Sequence, residues 1–485
     1  MKQEKEYIFN DVAAEIADSA VASYDSLMEA TYKGCPSLSS KFLFSKLQKI
    51  FIFTSFICLG IQLSFNKDYI LILLHIAASL SYISMIFMKV CLLKKGISLS
   101  KLKEAVNPMV DENELPSYSI ILPLYKEEGV IDQLVTHMQN IDYPDHLLSI
   151  FIVLEIDDIK TQEAFKHINL PKNFIVLVAP DSYPKTKPKA CNYAMQFIYS
   201  DIVVIYDAED IPHHNQLRDV ALSFKYSDSS VACIQCQLYW YNMYDNWLSF
   251  MFAIEYKILF EYLLPALDSF DMPIPLGGTS NHIRVDKLKE IGCWDEYNVT
   301  EDADLGIRLA RNGLKTKVIR SRTVEEAPVG IIAWIKQRTR WIKGYLQTFI
   351  AHTRNPQALL RDLGLRQALF FMAFIGISTI SYLLAGISFS ILIIQVIFSD
   401  FLHSDIIRIS SYFIMLLCNL FLIYQAYVAK KGFYNYGGIL MKLWWTYPIY
   451  FILHIVASFR ALYQLLFATH LWEKTEHSIS KALLD

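Results

Sequence analysis

The chain has 485 residues, room for two or three domains, and 53% of them are hydrophobic against 19% charged. Its 45 Lys and Arg nearly cancel 48 Asp and Glu, for a formal net charge of −3, and no long run of one sign occurs. This excludes the basic footprint of a nucleic-acid-binding protein and is unusual for a wholly soluble one, so membrane segments joined to a polar domain are expected.

Residues 1–45 are polar, with a weakly amphipathic stretch over Val12 to Met28, no assignable role and no pattern of a cleavable signal peptide. Two apolar segments follow, Ile50 to Phe65 and Tyr69 to Leu93, with only Asn66, Lys67 and Asp68 between them. Against the roughly 20 residues a bilayer crossing needs, the first is short and the second ample. Lys41, Lys46 and Lys49 precede the pair, and Lys94, Lys95, Lys101 and Lys103 follow it. The positive-inside rule therefore predicts a transmembrane hairpin over 46–95 with both ends cytoplasmic.

From Ser117 to Glu326 short apolar runs alternate with polar stretches of helical spacing. Tyr118 to Leu122, Ser149 to Leu154, Phe174 to Val178 and Ile202 to Tyr206 read as buried strands; Gly129 to Asn140 and Pro188 to Tyr199 read as helices. The alternation predicts an open α/β sheet in a cytosolic domain over 115–330, with its ligand at the carboxyl ends of the strands. Asn246 to Leu267 and Ile331 to His352 mix Trp, Phe and Tyr with charged residues. They are too charged to span a bilayer; amphipathic helices lying in its interface fit them, the second within a unit over 331–362, with core-facing amphipathic helices as the alternative.

Apolar character returns over 366–470, in Ala368 to Phe398, Ile409 to Val428 and Leu443 to Phe467. The first is long for one crossing and short for two, and Pro448 and Arg460 argue against a simple crossing by the last. Lys430 and Lys431 favour a cytoplasmic end. Two crossings and a re-entrant or interfacial segment are expected, with four crossings as the alternative; either leaves the tail over 471–485 in the cytosol.

The eight cysteines are scattered, several in apolar runs, which speaks against a disulfide framework and for a reducing compartment. Cys233 and Cys236 form a CxxC in a strand-like stretch, where positions three apart point to opposite faces. No second CxxC or paired histidines join them, so no zinc site is expected.

The chemistry lies in the acids. Ser149 to Leu154 runs into Glu155-Ile156-Asp157-Asp158, Ile202 to Tyr206 runs into Asp207-Ala208-Glu209-Asp210, and Thr300-Glu301-Asp302-Ala303-Asp304 precedes a helix-like segment from about Leu305. One acid at a strand end is ordinarily a cap or turn residue. Three clusters repel one another unless they hold something positive, and Mg²⁺ or Mn²⁺ with a diphosphate would neutralise them.

Pro123-Leu124-Tyr125-Lys126-Glu127-Glu128, Lys189-Ala190-Cys191-Asn192, Asp207-Ala208-Glu209-Asp210, Gly277-Gly278-Thr279, Thr300-Glu301-Asp302 and Gln337-Arg338-Thr339-Arg340-Trp341 occur in that order between apolar segments. Together they resemble the processive family 2 membrane glycosyltransferases, bacterial cellulose-synthase-like, a group that includes cellulose, chitin, hyaluronan and mannan synthases. The resemblance implies a GT-A-like open sheet domain inserted between transmembrane helices. It places Pro123, Tyr125 and Glu127 around the nucleotide, Asp158 near the base, and Lys189 at the diphosphate. Asp207 and Glu209, or Asp210 in place of Glu209, would hold the metal with the diphosphate. Asp302 would be the general base, with Glu301 beside it at the acceptor. Gln337 and Arg340 would bind the donor diphosphate and Trp341 would stack on an acceptor sugar. Gly277-Gly278-Thr279 would let backbone approach the sugar. Trp472-Glu473-Lys474-Thr475-Glu476-His477 resembles a gating loop whose Thr475 closes over the nucleotide.

Helical phase supports part of this assignment. Arg338 and Arg340, two apart, cannot share a face, whereas Gln337 and Arg340 can, which leaves Arg338 for an interfacial or structural pair. Two departures stand out: Glu209 replaces the family's usual Asp, and Cys191 occupies a usual glycine position.

The expected protein is an inverting hexosyltransferase in a bacterial inner (plasma) membrane with its catalytic domain in the cytosol. The resemblance implies a nucleotide-sugar donor, UDP-glucose favoured and GDP-mannose next, and a growing β-linked polysaccharide as acceptor, with transfer coupled to export. Export or accessory proteins are implied as partners; nucleic acid is not. A non-processive enzyme placing one sugar on a lipid is the alternative, since ceramide glucosyltransferases share much of the motif set. A non-catalytic transporter or scaffold is the alternative from another class.

Overall fold

The computed structural model describes residues 36–102, 112–397, 405–430 and 436–473. The first helix, α1 (Lys46–Phe65), opens with a capping box: Gln48 N donates to Ser45 Oγ at 3.2 Å, and Ser45 N to Gln48 Oε1 at 2.9 Å. None of its side chains is buried, as suits an apolar helix facing lipid. Helix α2 (Lys67–Ser100) has 34 residues, about 50 Å at 1.5 Å per residue, long enough to cross a bilayer and reach beyond it. Its C-terminal end packs on the next domain at Gly96, where a Cβ would stand 2.2 Å from Tyr262 O.

The domain then alternates as the sequence predicts: β1 (Tyr118–Leu124), α3 (Ile131–Gln139), β2 (Leu148–Glu155), α4 (Ile159–Phe165), β3 (Phe174–Ala179), α5 (Lys187–Ala194), β4 (Ile202–Ile205). Next come β5 (Ile211–Pro212), α6 (Gln216–Lys225), β6 (Val231–Trp240), α7 (Trp247–Lys257), a π-helical stretch Ile258–Leu263 and α8 (Leu264–Ser269). β7 (Asn281–Arg284), α9 (Val285–Glu290), α10 (Glu301–Arg311) and β8 (Lys315–Glu325) complete it. The eight strands form one sheet in the order β3-β2-β1-β4-β7-β6-β8-β5. The first four are parallel, and β7 is antiparallel to both β4 and β6.

The strands are apolar on both faces because both are covered. Ile120, Ile150 and Val204 pack on one side with Leu134 and Val220 of the helices; their neighbours Ile121, Phe151 and Val203 pack on the other with Ala190 and Leu309. Successive side chains of a strand alternate in this way. The helix expected over Pro188 to Tyr199 ends at Ala194, while the one expected from about Leu305 starts at Glu301. Glu301, Asp302 and Asp304 thus occupy a first helical turn, where unpaired N–H groups favour negative charge.

Beyond the sheet, α11 (Ile331–His352) has the bounds expected for an interface helix. Then follow α12 (Pro356–Phe371), broken at Gly364 (φ 69°), a π-helical stretch Met372–Ile377, α13 (Ser378–Ile397), α14 (Asp405–Ala429) and α15 (Tyr436–Phe467) with Pro448 inside. Five helical stretches among the described residues are long and apolar enough to cross a membrane: Lys46–Phe65, Asp68–Ser100, Pro356–Ile394, Ile409–Ala429 and Thr446–Phe467. The last is the most covered by protein. Ala457, Ala461 and Leu465 of α15 pack on Ile342 and Leu346 of α11, which brings residues 468–473 back against the sheet domain.

Candidate active site

A cavity of about 590 Å³ opens at the carboxyl ends of β1, β2 and β4 and continues between the apolar helices. Three of its polar walls are strand ends. After β1, Lys126 takes a left-handed conformation (φ 57°), held by its N–H donating to Asp158 Oδ2 at 2.5 Å. That turn presents Pro123, Tyr125 and Glu127 to the cavity. Asp158 itself is buried behind the loop, its other oxygen capping α4 through Thr161 N, and does not line the cavity. Its neighbour Asp157 does, with Lys185 Nζ at 3.0 Å.

Asp207 and Glu209 follow β4 and both line the cavity. Asp210 turns inward: Oδ2 accepts from Asp207 N at 2.6 Å and from the hydroxyl of Thr279, so it shapes the turn that exposes its neighbours. Burial, then the charges of Asp207 and Glu209, push its carboxyl well above the usual range.

The two lysines of α5 are placed differently. Lys189 is fully buried, donating to Glu155 Oε2 at 2.6 Å and Pro180 O at 3.2 Å, and does not reach the cavity. Lys187 lines it, donating to Asp207 Oδ1 and to Gly278 O at 2.9 Å. Two residues apart on α5, the two side chains point in nearly opposite directions. Burial alone would lower the Lys187 pKa; Asp207 and Glu301 hold it above the ordinary value, as a fixed cation.

Glu301 and Asp302 face this lysine from the first turn of α10. A Cβ on Gly278 would stand 3.3 Å from Asp302 Oδ2, so glycine leaves space beside that carboxylate. Burial, then Asp302, pushes Glu301 up to about 7, and burial also raises Asp302. The loop before them is anchored from both sides. Asn192 of α5 donates to Trp294 O at 2.9 Å and Glu296 Oε1 at 3.0 Å. From α11, Thr348 Oγ accepts Asn298 Nδ2 at 2.9 Å, and His352 Nε2 lies 3.0 Å from Asp304 Oδ1.

Gln337, Arg340 and Trp341 of α11 line the cavity together. Trp341 stacks on Tyr256 (5.9 Å, 27°). Arg338, set apart from the site by helical phase in the sequence, also lines the cavity: it lies over Trp341, its guanidinium 4.9 Å from the ring centroid, and bonds Glu255 Oε2 at 2.5 Å. Tyr450 and His454 complete that cluster at 2.7 and 3.3 Å from Glu255. From the other side Trp472 enters the cavity, with Arg340 5.8 Å from its ring centroid. Thr475 lies outside the described residues.

Sequence reasoning missed Lys187 and Glu325. Glu325 ends β8; the antiparallel register that pairs Val324 with Ile211 sets it across from Asp210. It is buried and lines the cavity, and its Oε1 has no partner among the described residues, as is true of Asp210 Oδ1. Reading acids at the end of every strand would have found it, had residues 315–325 been read as a strand.

These observations fit a divalent cation. Asp207, Glu209, Asp210 and Glu325 lie within electrostatic reach of one another with Lys187 bonded to Asp207, and two of their buried oxygens have no partner among the described residues. Among the described residues no group of three or more His, Cys, Asp or Glu could hold a metal by itself, so diphosphate oxygens would supply the remaining ligands beside Asp207 and Glu209.

Residues 116–344 match the family described as "Glycosyltransferase like family 2". The chain is 25% identical over 304 residues to the cellulose synthase 1 catalytic subunit (UDP-forming) of Komagataeibacter xylinus, covering 60% of this chain and 40% of that one. It is 27% identical over 248 residues to the beta-monoglucosyldiacylglycerol synthase of Nostoc sp., covering 49% and 51%. The chain spans about half the length of the curated relatives it matches. In structure it resembles the mannosyltransferase PcManGT of Pyrobaculum calidifontis in complex with GDP-Man and Mn²⁺, with a TM-score of 0.55 and 16% identity over 81% of this chain and 99% of the other. Sheet, acids and matches agree: the chain carries a glycosyltransferase family 2 domain of GT-A fold, flanked by helices apolar enough to cross a membrane.

Proposed function

We propose that the protein transfers a hexose with inversion from a nucleotide sugar, UDP-glucose before GDP-mannose, to a growing β-linked polysaccharide, and passes the product outward between its own helices. The observation that carries this reading is the continuity of the cavity. The same space bounded by Asp207 and Asp302 is bounded further on by Tyr82, Lys89, Tyr382, Gln425, Tyr450 and His454 of the apolar helices. Polar side chains at membrane depth are costly unless they serve a polar occupant, and a glycan supplies hydroxyls throughout its length. The catalytic domain would then face the cytosol of a bacterium, where nucleotide sugars are made.

In this reading Asp302 takes the proton of the acceptor hydroxyl as that oxygen bonds to the anomeric carbon. The bond from that carbon to the diphosphate breaks, and the nucleoside diphosphate leaves with the electron pair. Gln337 and Arg340 stabilise its developing charge, while Lys187 fixes Asp207 and adds positive charge beside it. A divalent ion at Asp207 and Glu209 would supply Lewis-acid stabilisation of the leaving group. Trp341, which lines the cavity, contacts the acceptor sugar in this reading. A transporter or scaffold would have no use for a base, lysine and acid cluster around one space.

Transfer of one sugar to a lipid is the second reading, favoured by the diacylglycerol-modifying relative and by the cavity's opening among apolar helices. Incubating the purified protein with radiolabelled UDP-glucose and GDP-mannose, then sizing the product, separates the two. A polymer supports the first, and single-sugar lipid adducts replace it with the second.

A further inference from the structure

Gln347, six residues beyond Trp341 on α11, does not line the cavity and is fully buried. Its amide has three partners. Oε1 accepts from Val299 N at 3.0 Å, while Nε2 donates to Thr469 O at 3.0 Å and, more weakly, to Tyr297 O at 3.4 Å. Val299 is three residues before Asp302, and Thr469 is three residues before Trp472. One side chain therefore joins the loop that delivers the acids to the segment that delivers Trp472.

The surroundings make this joint stiff. A Cβ on Gly344 would lie 2.2 Å from Thr300 Oγ, so α11 touches the acid loop at backbone range. Lys343 Nζ donates to Leu471 O at 2.6 Å, and His470 Nδ1 donates to Tyr297 O at 3.1 Å. Glu473 forms a two-pronged pair with Arg460 at 2.6 and 2.7 Å. The indole nitrogen of Trp472 is buried with no partner among the described residues, and the ring lies beside Arg340 in the cavity. Trp472 is thus placed to meet the occupant that Arg340 meets.

We propose that Gln347 is a positioning residue that couples two events, docking of residues 468–473 over the cavity and alignment of the loop bearing Glu301 and Asp302. The coupling rests on the glycosyl-transfer reading of Asp302. When Trp472 engages the donor, the amide transmits that engagement to Val299, and the base is aligned for a filled site rather than an empty one. Gln347 touches no substrate; it acts through Val299 and Thr469.

The test uses the full-length protein and a double-mutant cycle with the donor that the wild type turns over. Misplacing a base by about 1 Å can cost up to about 100-fold, so Gln347→Leu is expected to lower kcat at least about tenfold and also to raise the donor KM. If Trp472→Ala alone costs about tenfold in kcat/KM, it should cost less than about threefold in the Gln347→Leu background, because the link is already cut. The near-isosteric Gln347→Glu keeps the acceptor for Val299 N and loses both donated bonds. It should raise KM while retaining most of kcat. Effects that multiply independently, or a Gln347→Glu that lowers kcat as far as Gln347→Leu does, overturn the proposal.

Hydrogen exchange of Trp472→Ala gives a readout that needs no turnover. Loss of protection that spreads from residues 468–473 to Val299 supports the coupling, and loss confined to 468–473 refutes it. Wild-type protein that releases no nucleoside diphosphate from any donor would refute the glycosyl-transfer reading instead, with the exchange result still deciding on Gln347.

Discussion

At the scale of single residues the site is a problem of surplus negative charge solved locally. Lys187 is the cation in contact with Asp207, and Asp210 is withdrawn to brace the turn. Asp302 has no such restraint on its free face, since the adjacent position is glycine. Replacing Asp302 by Asn should cut transfer by about 10² to 10⁴-fold while donor affinity, read by calorimetry, stays near that of the wild type, because a base acts in the transition state. A collapse of donor affinity would make Asp302 a binding residue. Glu301 and Asp302 titrate as a pair, with Glu301 pushed up to about 7 by burial and by its neighbour. Below that pH Glu301 binds a proton beside the base, and sharing of that proton with Asp302, itself raised by burial, should lower kcat as pH drops through about 7. Glu301→Gln removes the neighbouring charge and should move this acid limb to lower pH; a limb left in place would assign it to another group.

At the scale of elements, α11 does the most. One face presents Gln337, Arg340 and Trp341 to the cavity, while Gly344, Gln347, Thr348 and His352 grip the acid loop and α10. Gly344→Ala puts a methyl where Thr300 stands, so it should cost about 1–3 kcal/mol by overpacking and displace the loop. The expected result is a lowered melting temperature in detergent together with a kcat loss larger than the KM change. Equal kcat to wild type would show that the loop tolerates the shift. The resemblance marked the α11 motif, and helical phase then paired Gln337 with Arg340. The resemblance places Lys189 at the diphosphate and Asp158 near the base; in the structure it is their neighbours Lys187 and Asp157 that line the cavity wall, while Lys189 and Asp158 are turned away. A motif gives positions along the chain; which side of a short helix or turn faces the ligand depends on how that element packs.

At the scale of the whole molecule, the sheet domain and the apolar helices share one space. Gly96 sets α2 against Tyr262, and the contact of α15 with α11 returns residues 468–473 to the catalytic domain. Ser378 and Thr379 line the cavity beyond the acids. If the product is the polymer proposed above, a bulky Ser378→Trp should shorten it, measured by gel filtration, while nucleoside diphosphate release persists. Full-length product from that variant would route the glycan elsewhere.

The sequence by itself determined the alternation of strands and helices, the acids at the ends of β2 and β4, the bounds of α11 and the apolar stretches on either side. Each follows from local periodicity or from charge next to an apolar run, which neighbours in the chain suffice to set. Tertiary structure alone decided that Asp210 braces while Asp207 and Glu209 face the cavity, that Glu325 joins them across the β5–β8 pairing, and that Gln347 bridges residues 297–299 to 469. These relations join positions more than a hundred residues apart, or opposite faces of one turn, and only packing selects among the orientations that the chain permits.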